Sequence, residues 1–171
     1  MAIEVQQQTR KKRTVSGFSH ISTPVRNVEE TIRFWTEVFN AEPVMNNHRD
    51  RFAEVKLGGV IIGMSKQPSG WTGRTAEFPH YAFFIEPDDF VPVRERLEAY
   101  RIPTHAIWTR NRVEALMYFR DPSGNLFELY CKQGFKDVMM IPQGASAGGD
   151  YDVDLEALNY DNWKDPSKEA R

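Results

Sequence analysis

The chain switches several times between two-residue and helical spacing of its apolar positions, and the switches mark out its elements. Residues 17–24 (Gly-Phe-Ser-His-Ile-Ser-Thr-Pro) have a strand pattern closed by proline. Asn27 then offers an N-cap, and Val28, Ile32, Trp35, Val38 and Phe39 recur at helical spacing. Glu29 and Glu30 fall in the first turn, where the helix dipole favours acids. Three short strand patterns follow at 42–45, 52–57 and 60–65, the last two split by Gly58-Gly59. After a Pro/Gly-containing connector at 66–77 the same order begins again. A strand pattern at 78–85 leads to a helix from Pro87 to about Tyr100, with Phe90, Val93, Leu97 and Tyr100 as its buried stripe. Pro92 is compatible with that helix because it falls near the first turn. Strand patterns at 104–109, 115–120 and 125–131 complete the second half.

Each half therefore reads strand–helix–three strands. Phe18-Ser19-His20 and Phe78-Pro79-His80 repeat a Phe-x-His at matched places. Two copies of one unit predict an α+β fold of two βαβββ modules, 16–66 and 77–133, related by pseudo-symmetry. Residues 1–15 are polar and aperiodic and read as a flexible arm. Residues 134–171 read as a C-terminal extension that wraps the body, with Leu155, Leu158, Tyr160 and Trp163 as its anchors.

With 171 residues and 40% hydrophobic composition, the chain suits one domain with a substantial core. A net charge of -2 gives no electrostatic reason to expect nucleic acid, and the run Arg10-Lys11-Lys12-Arg13 is short enough to be a solvated arm. No apolar run approaches a membrane span, and the N-terminal region lacks a secretory apolar core. The single cysteine, Cys131, leaves no intrachain disulfide. These features predict a cytoplasmic protein, with Cys131 packed as a small apolar residue.

The densest chemistry lies in residues 117–130, a strand, an Asp121-Pro122-Ser123-Gly124 turn and a second strand. Period two puts Leu126, Glu128 and Tyr130 on one face and Phe127 and Leu129 on the other. Glu128 is the only charge between Leu126 and Cys131, and a buried carboxylate needs a cation or hydrogen bonds. His20, on the strand that opens the first module, and His80, on the strand that opens the second, are the candidates to join it. Two imidazoles and one carboxylate form a facial set that holds a divalent metal and leaves other positions open.

Matched histidines in two such modules, ending in Asp121-Pro122-Ser123-Gly124-Asn125-Leu126-Phe127-Glu128-Leu129, resemble the vicinal oxygen chelate superfamily. The resemblance covers about residues 17–132. It implies paired, curved mixed sheets around a metal held by His20, His80 and Glu128, and a homodimer. Glyoxalases and epimerases of that group usually carry a fourth ligand where this chain has Gly63. Met117-Tyr118, Asp121-Pro122-Ser123-Gly124 and Glu128 match the latter part of the extradiol dioxygenase signature. His80-Tyr81-Ala82-Phe83, Asp89-Phe90, Arg96-Leu97-Glu98-Ala99 and Tyr118-Phe119 resemble the fosfomycin-resistance branch. In that branch Trp108 stands where a phosphonate-binding lysine is expected, and residues 111–116 replace a Ser/Gly-containing cation loop.

The reading that follows is a metal enzyme with an open three-ligand site, in its most concrete form an Fe(II) dioxygenase acting on an aromatic or enediol substrate. Tyr118 would hydrogen-bond the bound substrate oxygen. Trp108, Tyr130 and Phe84 would shape the pocket, and Arg110 or Arg112 would hold an anionic group. The alternatives are a Mn(II), Zn(II) or Ni(II) Lewis-acid lyase, isomerase or thiol transferase, and a metal-free ligand-binding protein.

Overall fold

The computed structural model describes residues 20–45, 50–67, 69–70, 80–160 and 163–166. Two βαβββ units follow one another. The first comprises β1 (His20–Val25), α1 (Val28–Phe39), β2 (Glu42–Met45), β3 (Phe52–Leu57) and β4 (Val60–Lys66). The second comprises β5 (Tyr81–Phe84), α2 (Pro87–Ala99), β6 (Trp108–Arg110), β7 (Glu114–Arg120) and β8 (Leu126–Cys131). The strands form two curved, open, four-stranded sheets, ordered β1-β4-β3-β2 and β5-β8-β7-β6. The pairs β1/β4 and β5/β8 run parallel and the rest antiparallel, so both sheets are mixed.

Local sequence accounts for the element boundaries. The Asn27 side chain accepts the Glu30 N–H at 3.2 Å and caps α1, which ends where Asn40 turns left-handed at φ 54°. The β3–β4 hairpin needs positive φ at both turn residues, and Gly58 (53°) and Gly59 (86°) adopt it without a Cβ penalty. Pro92 lies within α2, in its second turn, and removes one backbone bond there without ending the helix.

One core joins the two modules. Met117 and Phe119 of β7 and Phe127, Leu129 and Cys131 of β8 face it, together with Phe34, Trp35 and Val38 of α1 and Phe90 and Leu97 of α2. Trp35 is fully buried, its ring 4.8 Å from that of Phe127 and 5.9 Å from that of Phe83. The first helix lies on its own strands β3 and β4 and sends the Phe34 and Trp35 rings onto the second sheet. The tie is reinforced at the β7–β8 turn. Buried Asp121 accepts the N–H groups of Ser123 and Asn125 and the Asn125 side-chain amide. Asn125 also donates to Pro24 O, and Ser123 Oγ accepts the Arg26 N–H at 2.8 Å.

The second module departs from the expected strand at 104–109. Only Trp108–Arg110 pairs with β7. Pro103 has no N–H to give, and beyond Leu116 the N–H of Tyr118 donates to the His105 ring instead of a strand carbonyl. The predicted strand at 78–85 begins, in the described residues, at Tyr81, so His80 precedes it. His48 and the residues before His20 lie outside the described residues.

The extension continues from β8 along the edge of the second sheet. Thr109 N–H donates to Pro142 O and Gly144 N–H to Thr109 O, adding a short rung beside β6. Residues 151–158 then cross the outer face of the sheet, where Leu158 is buried against Trp108, Leu116, Tyr118 and Leu126. The Tyr160 hydroxyl donates to the carbonyls of Arg120 and Asp121. Trp163 Nε1 donates to Tyr100 O, and Asp165 pairs with Arg33 on α1.

Candidate functional site

The alternation of β8 turns Leu126, Glu128 and Tyr130 to the outer face of the second sheet, away from the shared core. Glu128 lies in register between Ala82 of β5 and Tyr118 of β7. Two residues before Ala82, on the same face, stands His80, whose Nε2 is 3.0 Å from Glu128 Oε2. Both side chains are largely buried, and Glu128 Oε1 is buried with no hydrogen bond. A carboxylate in that state lacks the compensation that burial demands. A divalent ion supplies it, and two neighbouring donors about 2.1 Å from one ion stand close to 3 Å apart. The donor set therefore fits a metal.

The two modules are equivalent in register. Ser22, two residues after His20, pairs with Gly63, as Ala82 pairs with Glu128. Gly63 thus occupies the counterpart position of Glu128 and brings no side chain. Within one chain His20 is exposed at the start of edge strand β1, and no three His, Cys, Asp or Glu side chains among the described residues come together as an ion site. The structure brings His80 and Glu128 together and leaves His20 apart from them.

The other expected residues distribute unevenly. Tyr118 is 4% exposed, opposite Glu128, with its ring 5.2 Å from that of His80. Trp108 is buried 6.4 Å from the Tyr118 ring. Phe84 is on the same face, 80% exposed and edge-on to Tyr130. The Tyr130 hydroxyl donates to Glu114, a bond that pushes its pKa up and keeps it protonated. Arg110 sits over the Trp108 ring at 5.8 Å and 3.9 Å from Glu114, so its charge is already partly answered. Arg112 turns away, donating to the carbonyls of Met139 and Ile141 in the extension.

His105 lies in a loop outside the expected site residues, and it supports the neighbouring strand. Its Nδ1 lies 2.8 Å from Ala106 O and its Nε2 accepts the Tyr118 N–H at 2.8 Å, an arrangement of the neutral ring. Burial lowers its pKa to about 4, which keeps it neutral. The Tyr151 hydroxyl of the extension stands 3.4 Å from the same Nδ1. No periodicity marks a histidine in an irregular loop as the support of a neighbouring strand.

The family model for the Glyoxalase/Bleomycin resistance protein/Dioxygenase superfamily matches residues 17–129. The glutathione transferase FosA of Serratia marcescens is 25% identical over 119 residues, covering 68% of this chain and 81% of the relative. The metallothiol transferase FosB of Shouchella clausii is 26% identical over 120 residues, covering 68% and 80%. Among solved structures, the fosfomycin resistance protein FosX of Listeria monocytogenes superposes with a TM-score of 0.61 at 27% identity, covering 70% of this chain and 94% of its own. The extension lies beyond the family match.

Proposed function

The chain belongs to the glyoxalase/bleomycin resistance protein/dioxygenase superfamily, and we propose that it is a divalent-metal enzyme adding a thiol or water to a small electrophile. One observation carries the reading: a buried Glu128 carboxylate beside His80, with its second oxygen unanswered. The metal, when bound, supplies Lewis-acid polarisation of a substrate oxygen. The relatives named as thiol transferases favour addition chemistry over the Fe(II) dioxygenase expected from the hairpin motif, and nothing in them speaks for iron or O2.

The protein's own contributions are positional. His80, just before β5, and Glu128 of β8 would offer lone pairs to the ion from neighbouring positions on one face. Tyr118, held by the His105–backbone bond, offers a hydroxyl to a substrate oxygen on the same face. Tyr130, fixed by Glu114, orients the apolar wall. The third ligand is His20 of a second copy. It is exposed on a strand that is at a sheet edge among the described residues, and the edges of β1 and β5, with Phe84 exposed beside the latter, would let two chains pair.

Mn(II) titration followed by electron paramagnetic resonance tests both the ligands and the pairing. His20→Ala, His80→Ala and Glu128→Ala should each abolish tight Mn(II) binding. Co-refolding His20→Ala with Glu128→Ala should restore about a quarter of the sites, because half the dimers are mixed and each mixed dimer keeps one of two sites intact. Retention of Mn(II) by Glu128→Ala refutes the site. No recovery on mixing refutes completion by a second copy.

A further inference from the structure

The family match ends at residue 129, yet the chain beyond it lies across the face that carries Glu128 and His80. A cleft of about 100 Å3 lies there between Trp108 and Tyr118 of the sheet and Tyr151, Asp152, Val153 and Leu155 of the extension. Tyr118 belongs to both places. Its ring lines the cavity on one side and stands 5.2 Å from the His80 ring on the other. The extension is fitted closely to this wall: Gly144 lies so near the indole of Trp108 that a Cβ there would collide with it.

We propose that the extension is a wall of the substrate pocket and selects a flat, ring-bearing molecule, uncharged or cationic, over an oxyanion. The inference rests on the metal reading for where the reaction takes place. Its own support is the chemistry of the lining. No lysine, arginine or histidine lines the cavity, and its one charged residue is Asp152. The nearby cations are engaged: Arg110 lies over the Trp108 ring and 3.9 Å from Glu114, and Arg94, whose charge reaches Tyr151, pairs with Glu98. An anion entering here would meet a carboxylate and no free positive charge. A ring would meet one indole and two phenol rings, surfaces suited to offset or edge contact. The volume is somewhat below the roughly 150 Å3 that accepts benzene in a closed apolar cavity. The cleft is open on one side, so a single ring need not fit wholly inside it.

The test is metal-free binding of benzyl alcohol, benzylamine and methylphosphonate, followed by heteronuclear chemical shifts of the full chain. Wild type is compared with Val153→Trp, which fills the cavity, and Tyr151→Ala, which removes one wall. Circular dichroism identifies a variant that has lost its fold. The two ring compounds should bind wild type, weaken at least about tenfold in Val153→Trp, and weaken less in Tyr151→Ala. Ring binding that is equal in wild type and both folded variants overturns the proposal. So does methylphosphonate binding that Val153→Trp abolishes. Mn(II) uptake, read separately on the same samples, reports on His80 and Glu128. Its failure would refute the metal reading while the ring result stands.

Discussion

Asp121 holds the β7–β8 turn that sets Glu128 opposite Tyr118, and its pH behaviour can be worked out from its surroundings. The carboxyl is fully buried. Burial raises its pKa to about 6 against the three hydrogen bonds from Ser123 and Asn125, which lower it. The folded protein therefore binds a proton there between about pH 4 and 6, where the unfolded chain has released it. A raised folded-state value means that this contribution is complete below about pH 4 and is lost as pH rises through 6. The gap between about 4 and 6 corresponds to about 3 kcal/mol. Asp121→Asn removes the titration but keeps an oxygen for the two backbone N–H groups. It gives up the bond from the Asn125 amide, a pH-independent cost of about 1–2 kcal/mol.

The variant should thus be less stable than wild type at pH 4 and equal or more stable at pH 7. The difference in unfolding free energy should move by about 3 kcal/mol in its favour across that window. His105 runs the other way. Its depressed value of about 4 costs stability as pH falls below about 6.5, but it is present in both proteins and cancels in the difference. Urea unfolding at pH 4, 5, 6 and 7, with both proteins in matched buffers, measures the quantity directly. A flat difference curve, or one favouring wild type as pH rises, would refute the assignment of a strained buried carboxyl to this turn.

Trp35→Ala should cost about 3–5 kcal/mol, because the indole fills the junction between α1 and the second sheet. A loss below 1 kcal/mol in urea unfolding would show that the modules do not depend on it. Asp165→Ala leaves the half-buried Arg33 without its carboxylate. Limited proteolysis should then cut the extension several-fold faster while the body resists, and unchanged cleavage would mean that the ion pair does not hold the extension in place.

What could be read from residues alone follows from the range of the forces involved. Helix α1 spans the predicted residues because its cap and its acidic first turn are local. The β2 and β3 spans coincide with their patterns, and the face of Glu128 follows from period two alone. The helical stripe was less complete: Phe34 is fully buried, while Ile32 and Phe39 are only half-buried. That is because α1 is covered on two sides, by its own strands and by aromatic rings of the second sheet, which the helix's own pattern does not show. The supporting role of His105 and the shortness of β6 escaped for the same reason. Whether a residue pairs in a strand or supports it from a loop depends on a partner thirteen positions away. The position of His20 is a property of the assembled sheets and is written in neither module.

The two modules are equivalent in register but not in chemistry, and packing explains why the difference matters. A Cβ at Gly63 would sit 3.2 Å from Ser22 Oγ and 3.5 Å from Ile21 O and Phe52. The Ser22 side chain would have to give by a few tenths of an ångström to admit a side chain there. As it stands, the first module brings no carboxylate to the place where the second has Glu128. A centre assembled from His20, His80 and Glu128 would have three protein donors, with its remaining positions left to substrate oxygens and solvent. Such a centre has no second carboxylate to move protons between adjacent carbons. It is better suited to hold an electrophile by its oxygen while a nucleophile arrives from outside the metal, and this favours addition over isomerisation.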